Sequence, residues 1–269
     1  MLRFYGQAGA SVNSMGVRGG TIWVLLPQPL HPAVFERRAN RFAAHLRLED
    51  GRRIYAHLPN SGRMTDLLVP GARCLIHVAP ASGRRTRGTM CLVRQGGRWI
   101  GLDARLPNAV FEAMLQAGGS PPFTRVRSWR REIHFDDARI DFALATADGT
   151  WLVETKSCNR VEGGVALFPD GPTARGTRHL EALTRAARRG IRTAVVWFVQ
   201  RADARRLRPD ADSDPAFAAA AAAAASAGVR FYAYLCRPTP QRLTVHRLIP
   251  VEVPAFPSSG PLRPRAEGP

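Results

Sequence analysis

The run "RTAVVWFVQ" at residues 192–200 is apolar on both of its alternating faces. A strand of that kind has no side to offer to water, so it belongs inside a sheet covered on both faces. The preceding "GTRHLEALTRAARRG" has helical spacing, arginines in its last turn and Gly190 as a stop. A helix leading into a doubly buried strand points to a parallel crossover, and therefore to an α/β arrangement.

The flanking segments extend that pattern. "PNAVFEAMLQAGG" (107–119) is a short amphipathic helix, and "RREIHF", "ARIDFALAT" and "TWLVETKS" are strand-like runs joined by turn residues. The alanine-rich stretch at 216–228 reads as a helix ending at Gly228, with "VRFYAYLC" returning as a strand. Residues 105–253 thus form one α/β domain on a mixed sheet. Residues 29–104 have another character: "NRFAAHLRL" and "RRIYAHL" flank an "EDG" turn, and "ARCLIHVA", "TMCLVRQ" and "RWIGL" follow. Five short strands suggest a small OB-like β-barrel, with an open sheet or an SH3-like barrel fitting almost as well. Residues 1–28, Gly/Ser-rich and unpatterned over most of their length, read as a disordered or overextended start. Residues 254–269 read as a disordered Pro-rich tail.

The chain has 39 Lys plus Arg against 21 Asp plus Glu, a net charge of +18. A field of that sign favours a polyanion, with nucleic acid the first choice and an anionic membrane surface the second. The longest early apolar run, "TIWVLLP", is far too short to span a bilayer, so no membrane association is expected. Four dispersed cysteines lack metal or disulfide spacing and read as reduced thiols of a cytoplasmic protein. The arginine and alanine bias suggests a GC-rich genome, so part of the positive charge reads as drift. That makes Lys156, the only lysine in the chain, informative.

In a strand Leu152, Glu154 and Lys156 share one face, and Val153 and Thr155 the other. Asp141 sits in the adjacent strand run between Ile140 and Phe142, where a carboxylate is costly unless paired or metal-bound. If the "DGT" turn at 148–150 closes a hairpin, Asp141 and Glu154 reach the same end of neighbouring strands. Two carboxylates suit Mg²⁺ or Mn²⁺, and a lysine can orient or deprotonate a metal-bound water or counter phosphate charge. Arginine cannot share a proton in that way. The arrangement is that of the PD-(D/E)XK phosphodiesterase fold, although a solvated Glu–Lys ion pair is the plainer reading of Glu154 and Lys156 alone. On the catalytic reading, replacing either carboxylate by its amide should weaken metal binding and leave stability without metal level or higher.

Other segments admit two readings. Arg175 and His179 share a helix face near the end of the Glu154 strand and could hold a phosphate, or could be a surface arginine and a satisfied core histidine. Arg84 and Arg85 in "GRRTRG", and Arg127, Trp129 and Arg130 in "RVRSWRR", could contact a nucleic-acid backbone with Trp129 stacking on a base, or could be solvated surface. "PNSG" (59–62) reads as a turn in which Asn60 and Gly62 supply special backbone angles.

From about Pro29 to Val253 the chain resembles the sugar fermentation stimulation protein A family, small bacterial proteins described as DNA-binding. "RANRF" (38–42), "HLPNSGRMTDLLVPG" (57–71), "WIGLDARLPN" (99–108), "RIDF", "VETKS", "LFPDGPTARGTRHL" (167–180) and "VVWFVQR" occur in the family's order. The resemblance implies an OB-like barrel, a PD-(D/E)XK-type domain, and Asp141, Glu154 and Lys156 as the active-site set. Where Thr155 stands the family usually has valine, a change expected to leave the chemistry alone because it lies on the opposite face. Asp103 replaces a usual asparagine, and "CNRVEGGV" after Ser157 also strays. Glu112, the acidic residue of the first helix, reads as exposed. The leading expectation is a DNA-binding protein with a metal-dependent nuclease site, DNA ahead of RNA. Its rivals are a non-catalytic DNA-binding regulator of sugar metabolism and an RNA-binding module.

Overall fold

The computed structural model describes residues 15–18, 21–78 and 85–253. The segment 254–269, read as a tail, and Arg84 lie outside the described residues. The chain opens with a hairpin of β1 (Met15–Arg18) and β2 (Thr21–Leu25). The next strands are β3 (Leu30–Asn40), β4 (Ala43–Leu48), β5 (Arg53–His57), β6 (Arg73–Val78), β7 (Gly88–Gln95) and β8 (Arg98–Gly101). Strands run in the order β5-β4-β3-β6-β7, and a parallel β5–β7 pairing closes them into a five-stranded barrel that β8 extends. Closure leaves few unpaired edges, and the inward residues, among them Phe35, Leu46, Ile76 and Met90, fill the interior. The barrel is of the OB type, as expected. Strand β3 gave little signal in the sequence because it contains Pro32 and the charged "ERRAN".

The larger layer contains α1 (Leu106–Gln116), a short hairpin of β9 (Gly119–Ser120) and β10 (Phe123–Thr124), then β11 (Val126–Phe135), β12 (Ala138–Thr146) and β13 (Gly149–Cys158). It continues through β14 (Val161–Glu162), β15 (Val165–Phe168), α2 (Ala174–Arg188), β16 (Arg192–Val199), β17 (Arg206–Pro209), α3 (Pro215–Ser226), β18 (Arg230–Pro238) and β19 (Arg242–Ile249). The main sheet has the order β1-β2-β19-β18-β16-β13-β12-β11, with β13, β16 and β18 parallel and the other pairings antiparallel. Val153, Val196 and Phe198 pack beneath α1, while Leu152, Val195 and Trp197 pack beneath α2 and α3. Strand β16 is therefore covered on both faces, as its apolar run requires.

The reading of residues 1–28 as a loose start is corrected by β2 for residues 21–25, while residues 1–14 and 19–20 lie outside the described residues. The burial of β2 alternates, Ile22 and Val24 enter the core beneath α1, and its end pairs with β19. The apolar run "IWVL" supplies an edge strand that the main sheet takes up, with Ile22 and Val24 turned into the core. Most of the segment "RVRSWRR" is the edge strand β11.

Candidate active site in the interdomain cleft

The β12–β13 ladder runs from Thr146–Gly149 to Phe142–Val153 and stops there. At the next pair of positions the strands part, and each backbone is met by a carboxylate from the other. The Thr155 amide donates to Asp141 Oδ2 at 2.9 Å, and the Asp141 amide donates to Glu154 Oε2 at 3.3 Å. Strand β12 also rolls here: Ile140 packs beneath α2, whereas Phe142, two residues on, packs beneath α1. The expected meeting of Asp141 and Glu154 thus occurs, at a split in the sheet.

Glu154 is buried. Its Oε1 accepts from Lys156 Nζ at 2.5 Å and lies in close contact with His179 Nδ1. Arg175 Nε donates to the other ring nitrogen of His179 at 3.4 Å, so Nδ1 carries the hydrogen that faces Glu154. Burial pushes the Glu154 carboxyl up, but the Lys156 charge and the His179 bond outweigh it and hold Glu154 below the usual range. Asp141 is pushed up by burial and then by the Glu154 charge, with only partial relief from Lys156 and the Thr155 bonds. One carboxylate is well satisfied and the other is not.

Two residues complete the Asp141 environment that sequence reading missed. Asn108 on α1 donates to Asp141 Oδ1 at 3.3 Å. The Thr155 hydroxyl lies between Asn108 Oδ1 and Asp141 Oδ2, at 3.0 Å from the latter. Thr155 therefore touches the site, contrary to its expected isolation on the opposite face, because Asp141 turns toward α1 at the strand roll. Glu112, one turn beyond Asn108, is not exposed. It accepts from Arg131 Nη1 at 2.9 Å and lies 3.5 Å from the Trp129 indole nitrogen.

The Asp141–Glu154–Lys156 group opens into a cleft of about 910 Å³ between the two domains. Its barrel wall contributes Arg38, Arg41 and Arg63, and the opposite side contributes Arg105, Arg131 and Arg175. Sequence reading missed the barrel arginines as site residues because they meet the carboxylates only through domain docking. That docking is extensive. Asp170 accepts from the Met64 amide at 2.6 Å, Asn159 donates to the Gly101 carbonyl at 3.0 Å and Gln200 donates to the Asp103 carbonyl at 2.8 Å. Asn60 and Gly62 do not occupy positive-φ positions, as the turn reading expected; that geometry falls to Met64 at φ 49°. Asn60 instead donates to the Leu102 carbonyl and accepts from the Gly62 amide. A Cβ on Gly62 would lie 3.2 Å from both Asn60 Oδ1 and Asp170 Oδ2.

Arg38 is a brace rather than a phosphate ligand. Its guanidinium donates to the carbonyls of Asn40, Arg41, Asn60, Gly62 and Arg63. Lysine has three donors and cannot span five acceptors. Arg38→Lys is expected to lower unfolding stability by about 1–3 kcal/mol, measured by chemical denaturation. An unchanged midpoint would show that the loop stands without the brace.

The remaining candidates lie elsewhere. Arg85, Arg127, Trp129 and Arg130 do not line the cleft. Trp129 packs against the core beneath α1, which uses part of the ring that stacking on a base would need. His179 is buried, and its Nδ1 faces Glu154.

Family models cover most of this architecture. The sugar fermentation stimulation protein RE domain matches residues 105–242, and the SfsA N-terminal OB domain matches residues 37–102. The chain belongs to the sugar fermentation stimulation protein family. A homologue from Moorella thermoacetica is 44% identical, covering 86% of this chain and 99% of that one. One from Chloroflexus aurantiacus is 42% identical, covering 83% and 86%. The structure of Pyrococcus furiosus SfsA in complex with Ca²⁺ superposes with a TM-score of 0.78 at 29% identity, covering 84% of this chain and 97% of that one. Among the described residues of this family member, no helix is long and apolar enough to cross a membrane.

Proposed function

We propose that the cleft is a divalent-metal-dependent phosphodiesterase site acting on nucleic acid, DNA ahead of RNA. The observation that carries this reading is the pairing of a half-buried Asp141 with the buried Glu154 and with Lys156, each carboxylate meeting the other strand's backbone amide, at the floor of an arginine-walled cleft. A cation offsets the like-charge repulsion that burial makes costly. The donor set fits Mg²⁺ or Mn²⁺: Asp141 and Glu154 supply hard oxygens, and such ions keep several waters. Among the described residues no cluster of three His, Cys, Asp or Glu side chains forms, so water and phosphate oxygens would complete the shell. The Pyrococcus furiosus relative is in complex with Ca²⁺, another hard dication.

Bound there, the metal would polarise the phosphate and acidify water. The protein's own residues do the rest. His179 and Lys156 fix the Glu154 carboxylate, Asn108 and Thr155 orient Asp141, and the Lys156 ammonium can donate to a phosphate oxygen or to a water oxygen. Arg41, Arg63 and Arg175 on the cleft walls would neutralise the backbone on either side.

The charge predicts that affinity falls steeply with salt, log K dropping about 0.9 per log unit of salt for each duplex phosphate neutralised. Anisotropy titrations in chelator measure this directly. Affinity that is flat between low and physiological salt would remove the nucleic-acid reading. Calorimetric titration with Mn²⁺ tests the metal, since Asp141→Asn should abolish the binding isotherm of the parent.

A further inference from the structure

The barrel presents one aromatic ring that packing does not account for. Phe42 is 50% exposed, and the other large apolar side chains exposed among the described residues, Val69 and Leu248, are aliphatic. Its backbone is nonetheless fixed. The Phe42 amide donates to Asn40 Oδ1 at 2.8 Å, and its carbonyl accepts from the Leu58 amide at 2.8 Å and lies 3.1 Å from His57 Nδ1. These bonds fix the backbone on both sides of the Phe42 Cα, so the ring stands on an ordered part of the barrel.

The position of the ring indicates what it meets. Arg41, its neighbour, lines the cleft, and the Arg41 guanidinium lies over the Phe42 ring at 5.7 Å from the centroid. The barrel wall of the cleft carries Arg38, Arg41 and Arg63 and no acidic residue. A protein partner would need a contiguous apolar patch, whereas Phe42 follows two exposed polar residues, Asn40 and Arg41. A lone exposed ring under the guanidinium of Arg41, which lines the cleft, matches a base with its phosphate.

We propose that Phe42, with Arg41, is a stacking platform for an unpaired base, and that it makes the cleft select single-stranded over duplex nucleic acid. This rests on the nucleic-acid reading of the cleft and adds its substrate class. Bases in a duplex already stack on their neighbours and have no free face to offer; an unpaired base does. The strand would pass from the barrel turn at residues 40–43 toward the floor at Asp141 and Glu154, with the Arg41 guanidinium serving both the ring and the adjoining phosphate.

The test is equilibrium binding by fluorescence anisotropy in chelator, so that nothing is cut. Three ligands of equal length are compared: a single strand, the same backbone without bases, and a duplex. The parent is expected to bind the base-bearing strand most tightly. Phe42→Ala and Phe42→Leu should each weaken that strand by about tenfold and leave the abasic strand and the duplex within about twofold, with the salt slope unchanged. Phe42→Trp should restore the affinity, which a structural role for phenylalanine would not allow. Equal loss on all three ligands, or no loss on any, overturns the platform while leaving the cleft's charge reading in place. A parent that binds none of the three overturns both.

Discussion

Lys156→Arg is expected to fold and to bind nucleic acid as the parent does, and to lose metal-dependent cleavage by about 100-fold or more. The side chain is largely buried, with Nζ 2.5 Å from Glu154 and 3.4 Å from His179. Guanidinium pairs with a carboxylate at least as well as ammonium does, so a purely structural ion pair survives the change. A group that must share a proton with water, or place a compact charge at one phosphate oxygen, does not survive it. The comparison is read from single-turnover cleavage alongside a melting curve. Full cleavage by the arginine variant would make Lys156 a structural residue.

The two carboxylates should part company when neutralised. Contrary to the level stability expected from sequence for both amides, Glu154→Gln leaves the Lys156 ammonium without its charge partner inside a buried cluster, and is expected to cost about 2–4 kcal/mol in chelator. Asp141→Asn keeps an acceptor for the Thr155 amide and removes a charge that burial and Glu154 both oppose. Its stability in chelator should equal or exceed the parent's. The pH dependence follows the same signs. Asp141, whose folded value is raised, contributes stability below the ordinary aspartate range that is lost as pH rises through that folded value. Glu154, whose folded value is lowered, contributes stability above the ordinary glutamate range that is lost as pH falls through its folded value. The advantage of Asp141→Asn over the parent should therefore grow as pH rises above about 4. Denaturant titrations at several pH values measure both effects, and equal losses for the two variants would contradict the asymmetry.

That asymmetry was outside the reach of sequence. Period-2 alternation placed Glu154 and Lys156 on one face and flagged Asp141 as a carboxylate among apolar neighbours, and helical spacing put Arg175 beside His179. These inferences depend only on local repeat geometry. The satisfaction of Glu154 by His179 depends on how α2 crosses the sheet, and Thr155 enters the site only because β12 rolls at Asp141. The arginine wall from the barrel depends on docking two domains through Asp170, Asn159 and Gln200. None of these contacts has a local signature. The strand at Thr21–Leu25 did have one, in the apolar run Ile22–Leu25, but its Gly/Ser-rich neighbourhood hid it. The barrel itself was legible because short alternating runs separated by turns have few closed solutions.

The central claim, that the cleft cuts phosphodiesters with a bound dication, is tested most directly by incubating the protein with labelled single-stranded, duplex and branched DNA and RNA. Each is run with Mg²⁺, with Mn²⁺ and with chelator, beside Asp141→Asn. The account predicts cleavage of at least one substrate that requires the metal and disappears in the variant. Tight binding with no cleavage of any substrate, or cleavage that persists in chelator or in Asp141→Asn, would contradict it.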